Sequence, residues 1–302
     1  MSRIHEALKK AEQERALSQP PGAVESAAVA LEPQVGAEPI ASPAVRAAGA
    51  PALTEENALA RIRQTNWHPD PKTMLFFNSE EHASGMEEFR TLRSRLYQAR
   101  QRQPLAKLLI TSPLPKEGKS FTTANLAQVM VRQQGRRALM IDADLRNPQM
   151  HELLGAEPAP GLSEYLSGGG TDEFSIIQRG PMENLFLIPA GRRTENPAEL
   201  VANGRMRFLL NRLEPLFDWI LIDSPPAALV SDAVLLANYC DGVILVLRSN
   251  NTPVEAARRA RKEFADRNVV GVVLNGISPE LSPYAQYYYS AYAGGGQGQA
   301  KN

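Results

Sequence analysis

The sequence predicts an α/β fold, a doubly wound and mainly parallel β-sheet with helices on both faces. Two observations support this prediction. Short apolar runs alternate with helix-length amphipathic segments over most of the chain, which is typical of successive βαβ units. The apolar runs are continuous and do not alternate with polar residues, a pattern that suits strands buried on both faces of a parallel sheet.

The predicted elements follow one another at short intervals. Helices are expected where apolar residues recur every three or four positions, over 80–103, 120–134, 205–216 and 253–266. Strands are expected at the continuous apolar runs, over 107–111, 137–141, 185–189, 219–222, 242–247 and 269–274. In such a sheet the carboxyl ends of the strands form one edge, where open parallel sheets bind their ligands.

The regions on either side of the α/β part differ from it in composition. Residues 1–16 are predicted to form a short amphipathic helix, and 17–72 a disordered linker rich in alanine and proline. The linker has few large apolar residues to offset the entropy of ordering, although a weak helix over 55–63 is expected to interrupt it. The α/β domain is placed at 73–280, and a flexible tyrosine-rich tail at 281–302.

Net charge, cysteine content and hydropathy limit the partners and the cellular location that we expect for the protein. Because the formal net charge is zero, no overall field favours nucleic acid, and we expect no nucleic-acid partner. Cys240 is the single cysteine, so an intrachain disulfide is excluded, which is consistent with a reducing cytosol. No apolar run approaches the roughly 18 residues of a membrane span. We therefore expect a cytoplasmic protein that a partner would have to recruit to a membrane.

The first motif with recognisable chemistry is the phosphate loop, residues 112–120, between a predicted strand and a predicted helix. Backbone N–H groups and the helix N-terminus can surround a polyphosphate. Lys119 would reach the β- and γ-phosphates and the Ser120 hydroxyl would bind Mg²⁺. The strict pattern G-x-x-x-x-G-K-[ST] is not met, because Pro113 stands at its first glycine. On its own, Gly118-Lys119-Ser120 is equally compatible with a solvated lysine at a helix start.

Three aspartates end predicted strands. Asp142 and Asp144 follow one apolar run and Asp223 ends another. Taken singly, each could be a solvated acid at a strand end. Together they predict a site beside the phosphate loop, where one carboxylate orients Mg²⁺ and another accepts a proton from an incoming hydroxyl. Three carboxylates near a triphosphate would repel it unless Mg²⁺ and Lys119 intervened.

A cluster of tyrosines marks the tail. Five of the eight tyrosines in the chain lie there, at Tyr284, Tyr287, Tyr288, Tyr289 and Tyr292. The composition alone is also that of an aromatic tail without a specific role.

From about Phe76 to Tyr292 the sequence closely resembles the bacterial tyrosine kinases of the capsule and exopolysaccharide regulator type. These are deviant-Walker P-loop ATPases with the fold of MinD and ParA. The matching motifs are the phosphate loop, Asp142-Ala-Asp-Leu-Arg146, Asp223-Ser-Pro-Pro226, Gly191 with Asn196-Pro-Ala-Glu-Leu200, Asp232-Ala233, Leu247 to Thr252, and Gly271 to Asn275.

The resemblance implies roles for individual residues, with ATP and Mg²⁺ as cofactors. The nucleotide would be bound by Pro115, Lys116, Glu117, Gly118, Lys119, Ser120, Phe121 and Asn275, with Asn275 reading the adenine edge. Asp142 resembles the base that accepts the tyrosine proton, and Lys119 would act with it in catalysis. The metal ligands would be Ser120, Asp144 and Asp223.

The resemblance also implies partners. Glu87, Arg90 and Arg93 match a Glu-x-x-Arg-x-x-Arg helix that joins subunits into a ring in the family, although the spacing alone equally fits a solvated helix face. The tail tyrosines would be phosphorylated in trans within that ring. A separate transmembrane activator, of the polysaccharide co-polymerase type, and a tyrosine phosphatase would complete the system.

One departure from the family pattern concerns the rate of the reaction. Relatives usually carry glycine where this chain has Lys116. If the backbone there needs a positive φ, a lysine costs on the order of 1–2 kcal/mol. Two alternatives to an autokinase stay open: an ATPase switch of the MinD and ParA kind, and a weakly active nucleotide-sensing scaffold of a polysaccharide machine.

Overall fold

The computed structural model describes residues 55–77 and 85–277, and in these residues one β-sheet carries helices on both faces. The strands are β1 (Arg63–Gln64), β2 (Lys107–Thr111), β3 (Ala138–Asp142), β4 (Gln178–Arg179), β5 (Leu185–Ile188), β6 (Trp219–Asp223), β7 (Gly242–Arg248) and β8 (Val269–Asn275). The helices are α1 (Glu55–Ala60), α2 (Met86–Arg100), α3 (Lys119–Val131), α4 (Met150–Leu154), α5 (Leu162–Ser167), α6 (Pro197–Ala202), α7 (Arg205–Leu213), α8 (Asp232–Ala237) and α9 (Val254–Glu263). A 3₁₀ turn, Glu214–Leu216, extends α7.

The sheet order is β1-β4-β5-β3-β6-β2-β7-β8. All neighbouring pairs are parallel except β4 with β5, which is antiparallel. The predicted doubly wound, mainly parallel fold is therefore confirmed. In this order β2 lies between β6 and β7, so the loop that follows β2 opens at the middle of the sheet edge.

Each face of the sheet buries its own apolar core. On one face α2 and α3 pack over the strands, and α3 is buried along almost its whole length. On the other face α5, α7 and α8 cover the strands, with Phe186 and Phe217 in edge-to-face contact at 5.1 Å. Because both faces are covered, the strands read as unbroken apolar runs in the sequence.

The predicted strands and long helices agree closely with the structure. The strand predicted at 107–111 matches β2, and the bounds of the five others differ by one residue. Four short helices, α4, α5, α6 and α8, were not predicted, because five or six residues are too few to show helical periodicity. The two-residue strands β1 and β4 were missed for the same reason.

The predicted linker extends too far along the chain. Residues 55–72, assigned to the disordered linker, include α1, which agrees with the helix expected over 55–63. They also include β1, which was not expected, and the side chain of Trp67 is only 4% exposed. The Trp67 indole N–H donates to Thr65 Oγ1 at 2.9 Å, and β1 pairs with β4. The prediction of disorder was wrong for these residues. A few buried apolar side chains are enough to order the segment when its backbone also forms hydrogen bonds with a strand of the sheet.

The other predicted segment boundaries stay predictions. The N-terminal helix, most of the linker and the tail tyrosines lie outside the described residues. Within 55–77 and 85–277, no helix combines the length and the apolar character that a membrane crossing requires.

Candidate functional site

The candidate site lies at the carboxyl edge of three central strands. In the parallel register Asp142 of β3 is opposite Asp223 of β6, and Ile110 of β2 is also opposite Asp223. The Ala143 N–H donates to the Asp223 carbonyl at 2.8 Å, which ties the two strand ends together. The three predicted aspartates and the phosphate loop therefore meet at one edge, as the strand pattern predicted.

Lys119 is the first residue of α3, and its side chain is buried among these acids. The preceding Gly118 has φ +93°, the left-handed turn that starts the helix. Lys119 Nζ is 3.0 Å from Asp144 Oδ2. Burial acts to lower the pKa of Lys119, but the charges of Asp223 and Asp144 outweigh it and raise the pKa above its ordinary value. The site therefore holds a fixed cation at the N-terminus of a helix.

Ser120 and Asp223 form the second pair. The Ser120 hydroxyl donates to Asp223 Oδ2 at 2.5 Å, while Asp223 Oδ1 is buried and has no hydrogen-bond partner among the described residues. Burial raises the pKa of Asp223 to about 6, although Lys119 and Ser120 act against it. A buried carboxylate oxygen without a partner, beside a hydroxyl, is a donor set that fits Mg²⁺.

The protein ligands would not complete a metal site alone. In the described part of the chain, no three acidic, histidine or cysteine side chains form a group that could hold a metal ion. Mg²⁺ is usually held by one or two carboxylates together with phosphate oxygens and water. The Ser120–Asp223 pair fits that mode, in which the nucleotide supplies the remaining ligands.

Asp142 is fully buried and bound on both oxygens. Its Oδ2 accepts the N–H groups of Met150 at 3.0 Å and Gln149 at 3.2 Å, and its Oδ1 accepts that of Asp144 at 3.2 Å. Burial, and then the charge of Asp223, raise the pKa of Asp142 well above its ordinary value. A carboxylate with a raised pKa is a stronger proton acceptor near neutral pH than an ordinary aspartate.

The loop after β3 is held by a second set of contacts. Asp144 Oδ1 accepts the Asn147 N–H at 3.0 Å. Arg146 forms a bidentate ion pair with Asp232, at 3.1 Å from Nη2, and the Asp232 side chain is almost completely buried. The arginine of the acidic motif therefore anchors its loop to the start of α8.

Lys116 lies at the exposed crest of the phosphate loop in a left-handed backbone conformation. Its φ is +62°, so the condition for a strained lysine at this position is met. The Lys116 carbonyl accepts a hydrogen bond from Arg248 Nη1 at 3.0 Å. This contact holds the strained peptide from the neighbouring end of β7.

Glu117 is buried and faces into the loop. Its Oε2 accepts the Leu114 N–H at 2.9 Å, and its Oε1 accepts the hydroxyl of Thr252. In this arrangement its carboxylate is used to shape the loop, and its predicted contact with the nucleotide could involve only the backbone. Arg248 and Thr252 were not predicted as site residues, although the segment that contains them carried part of the family resemblance.

Asn275, the predicted adenine reader, lies over the phosphate loop. Its Nδ2 donates to the Glu117 carbonyl at 3.0 Å, and a Cβ atom on Gly118 would overlap with it. The predicted Phe121 ring lies on the other side, 5.9 Å from the Phe89 ring of α2. The roles of both residues towards a nucleotide stay predictions, as does that of Pro115, which is exposed at the crest.

The three predicted oligomerisation residues lie on α2 but differ in surroundings. Glu87 and Arg90 form an ion pair at the surface, where the Glu87 side chain is 76% exposed. Arg93 Nη1 instead donates to the Val129 carbonyl at 2.9 Å, which ties α2 to the last turn of α3. Glu87 and Arg90 are therefore free to meet a neighbour, whereas Arg93 already has a contact within the chain.

Comparison with known proteins places this site in a family. No family model matches the sequence. The chain is 34% identical over 213 residues to the tyrosine-protein kinase YwqD of Bacillus subtilis, a match that covers 70% of this chain and 88% of YwqD. It is 34% identical over 215 residues to the putative tyrosine-protein kinase EpsB of Ralstonia nicotianae, covering 68% of this chain but only 28% of EpsB.

The structural comparison agrees. The kinase domain of the Escherichia coli tyrosine kinase ETK superposes with a TM-score of 0.61 and 33% identity, covering 64% of this chain and 76% of that domain. The sequence match to YwqD extends over most of both chains. The chain therefore belongs to the bacterial tyrosine kinases, which have the P-loop NTPase fold.

Proposed function

We propose that this chain is an ATP-dependent protein-tyrosine kinase that phosphorylates the tail tyrosines of a neighbouring copy. The observation that carries the proposal is the arrangement at the sheet edge, where the Lys119–Asp144 and Ser120–Asp223 pairs lie beside the buried Asp142. The acceptors would be Tyr284, Tyr287, Tyr288, Tyr289 and Tyr292. Through this reaction the chain would regulate the synthesis or export of an exopolysaccharide or capsule.

The residues of the site divide the work of phosphoryl transfer. Backbone N–H groups of the phosphate loop and the Lys119 ammonium bind the β- and γ-phosphates of ATP. Ser120 and Asp223, with Asp144, would hold Mg²⁺, which would supply positive charge next to the phosphates. Lys119 contacts Asp144, so the cation that would bind phosphate and a carboxylate that would bind Mg²⁺ lie at the same point of the sheet edge.

Asp142 is the group that accepts the proton of the incoming tyrosine. Three backbone N–H groups fix the orientation of its carboxylate, and its raised pKa suits the transfer. The carboxylate is buried in the free chain.

The kinase would work in an assembly. Glu87 and Arg90 would contribute to a homo-oligomeric ring in which each tail reaches the site of its neighbour. A separate transmembrane activator of the polysaccharide co-polymerase type would recruit the cytoplasmic kinase to the inner face of the membrane, and a tyrosine phosphatase would reset the tail. The support for this setting is the family resemblance of the sequence motifs, together with relatives named as the tyrosine-protein kinases EpsB and CpsD.

The direct test is incubation of the purified full chain with Mg²⁺ and ATP, followed by mapping of phosphotyrosine by mass spectrometry. We expect phosphate on the tail tyrosines, and none in the Asp142→Asn and Lys119→Met variants. The cytosolic segment of a membrane activator from the same gene cluster is supplied in a parallel reaction. Unmodified tyrosines in both reactions would refute the kinase proposal.

The same incubation with Mg²⁺ and ATP also distinguishes a kinase from an ATPase switch. An ATPase switch of the MinD and ParA kind would hydrolyse ATP and dimerise with it but leave every tyrosine unmodified. A third outcome is slow phosphorylation by a weakly active scaffold, which a time course would reveal as phosphate that accumulates far more slowly than ATP binds.

A further inference from the structure

A second polar cleft lies beside the candidate site, in the loop that follows β5. It has a volume of about 390 Å³, within the range of small-molecule sites. Two arginines and four hydroxyl residues form most of its lining, and these are Ser163, Ser167, Thr171, Arg192, Arg193 and Thr194. Such a lining is rich in hydrogen-bond donors.

The position of the cleft relates it to the reaction. β5 is the parallel neighbour of β3, with Ile188 opposite Ile141, so the loop after β5 opens at the same sheet edge as Asp142. It lies on the side of β3 opposite to β7 and β8, where Arg248 and Asn275 contact the phosphate loop. A peptide that presents a tyrosine to Asp142 can therefore extend along this side of the sheet edge.

A single acidic residue, Glu164, lies in the lining, and its oxygens are already bound. Its Oε2 accepts the Gly161 N–H at 2.9 Å and the Ser163 hydroxyl at 3.1 Å, and its Oε1 accepts the Arg192 N–H at 3.1 Å. Although burial opposes it, these donors lower the pKa of Glu164 below its ordinary value. A Cβ atom on Gly191, whose φ is +86°, would overlap with this carboxylate. Glu164 therefore serves to shape the loop that presents the arginines.

The guanidinium groups point to an anionic ligand. The Arg192 side chain is 87% exposed, and its Nε is 3.8 Å from Glu164 Oε1. Arg193 is exposed and forms no ion pair with any residue of the described ranges. Adjacent arginines surrounded by hydroxyl donors suit a phosphate group, which accepts several charge-assisted hydrogen bonds at once.

The acceptor tail supplies such a group only after phosphorylation. Beyond residue 277 the sequence has one acidic side chain, Glu280, and none between residues 281 and 302. Five tyrosines lie between 284 and 292, so a phosphorylated tyrosine has another tyrosine within a few residues, which is available until all five are modified. Phosphorylation adds a charge of about −1.5 to −2 at pH 7, the only strong anion that this segment can offer the arginines.

We propose that this cleft binds the phosphate of an already phosphorylated tyrosine of the acceptor tail and so holds the next tyrosine near Asp142. The identity of the acceptor rests on the proposed function. Binding at the cleft would make successive phosphorylations cooperative, because one phosphotyrosine raises the local concentration of the remaining tyrosines at the site.

Direct binding tests the cleft without requiring kinase activity. Fluorescein-labelled peptides of residues 282–294, unmodified or phosphorylated at Tyr288, are titrated with the full chain, and fluorescence anisotropy is measured. We expect the phosphopeptide to bind at least about tenfold more tightly, the factor that one good charge-assisted hydrogen bond provides. The double variant Arg192→Gln/Arg193→Gln should lose this difference.

Two controls distinguish binding at the cleft from binding elsewhere on the chain. Arg258→Gln/Arg259→Gln removes the same charge from adjacent, exposed positions of α9 and should keep the preference for the phosphopeptide. Lys119→Met should also keep it, because a preference that required Lys119 would place the phosphate in the phosphate loop. If the double variant does not fold, Arg193→Gln alone carries the test, since the Arg193 guanidinium forms no ion pair within the described part of the chain.

The outcomes are distinct. Equal affinity for the two peptides, a preference retained in Arg192→Gln/Arg193→Gln, or a preference lost equally in the α9 control would overturn the proposal. Failure of the kinase assay with an intact, cleft-dependent phosphopeptide preference would refute only the proposed enzymatic function.

Discussion

In the phosphate loop, one residue has a strained backbone conformation, and the side chains of other residues hold the loop in shape by hydrogen bonds. Lys116 occupies a left-handed backbone conformation, and the Arg248 guanidinium donates a hydrogen bond to its carbonyl. Glu117 holds the Leu114 N–H from inside the loop and is itself held by Thr252. The loop is therefore shaped by Glu117 from within and by Arg248 and Thr252, which lie at and just after the end of β7.

Replacing Lys116 by glycine should therefore have only small effects on the stability of the fold and on the autophosphorylation rate. Relief of left-handed strain stabilises the fold by on the order of 1–2 kcal/mol, while the added freedom of the unfolded chain offsets about 0.4–1 kcal/mol of this. We expect the autophosphorylation rate to change less than about threefold, well under the roughly tenfold that about 1.4 kcal/mol would produce. The rate and the urea midpoint are measured for Lys116→Gly beside Lys116→Ala, which keeps the strain but removes the charge.

A gain of about tenfold or more in Lys116→Gly, absent from Lys116→Ala, would show that the native loop is held in a poorly active shape. The weakly active scaffold would then be the better description of the native chain.

Two threonines offer a matched pair of substitutions. The Thr252 hydroxyl bonds the buried Glu117 carboxylate, so Thr252→Val should lower the free energy of unfolding by about 1–3 kcal/mol. The Thr122 hydroxyl is buried with no hydrogen-bond partner among the described residues, so Thr122→Val should be neutral or stabilising. Urea unfolding followed by circular dichroism measures both, and equal destabilisation by the two variants would contradict the assigned hydrogen bonding.

At the level of elements, the short segment of α1 and β1 belongs to the folded domain. It adds a strand to the sheet beside β4 and buries Trp67. A Cβ atom on Gly180 would overlap with the Trp67 ring, so the backbone next to β4 lies directly against the indole. This contact is specific, and a glycine is needed to permit it.

Trp67→Ala should therefore destabilise the domain by about 3–5 kcal/mol, the usual cost of truncating a buried aromatic residue. Asn66→Ala, at the exposed neighbouring position, should have an effect below about 0.5 kcal/mol. Thermal and urea unfolding of the full chain distinguish the two. If Trp67→Ala unfolds like wild type, the segment is not part of the cooperative unit.

At the scale of the whole molecule, we propose that the phosphoryl transfer takes place between two copies of the chain. The site lies at the sheet edge, β8 ends at Asn275, and the acceptor tyrosines follow it closely along the chain, from Tyr284 to Tyr292. Glu87 and Arg90 at the exposed face of α2 are the residues that we expect to orient one copy against the next.

A mixing experiment tests transfer between copies. A chain with all five tail tyrosines replaced by phenylalanine is an enzyme without acceptors, and Lys119→Met is an acceptor without activity. We expect the tail of the Lys119→Met chain to be phosphorylated only when both are present, and Arg90→Glu in both chains should reduce this by at least about tenfold, as loss of an assembly interface would. Absence of phosphate in the mixture, with wild type active alone, would indicate transfer within one chain.

Much of the fold and of the site could be predicted from the sequence. Continuous apolar runs located the six main strands, and aspartates at the ends of two of them located the site. The short helices and the two-residue strands β1 and β4 could not be predicted, because tertiary contacts hold their residues in place and the segments are too short to show a periodic apolar pattern.

By itself, the sequence determined the parallel sheet, the edge at which Asp142, Asp144 and Asp223 meet, and the family, because these depend on local apolar patterns and short motifs. Only the tertiary structure decided which partners those residues have. It placed Glu117 inside the loop, Arg248 and Thr252 around it, Trp67 in the core, and Arg192 and Arg193 on a cleft beside the site. Such contacts join residues that lie far apart in the sequence, such as Lys116 and Arg248. A local sequence pattern does not show which distant residues will be neighbours in the folded chain.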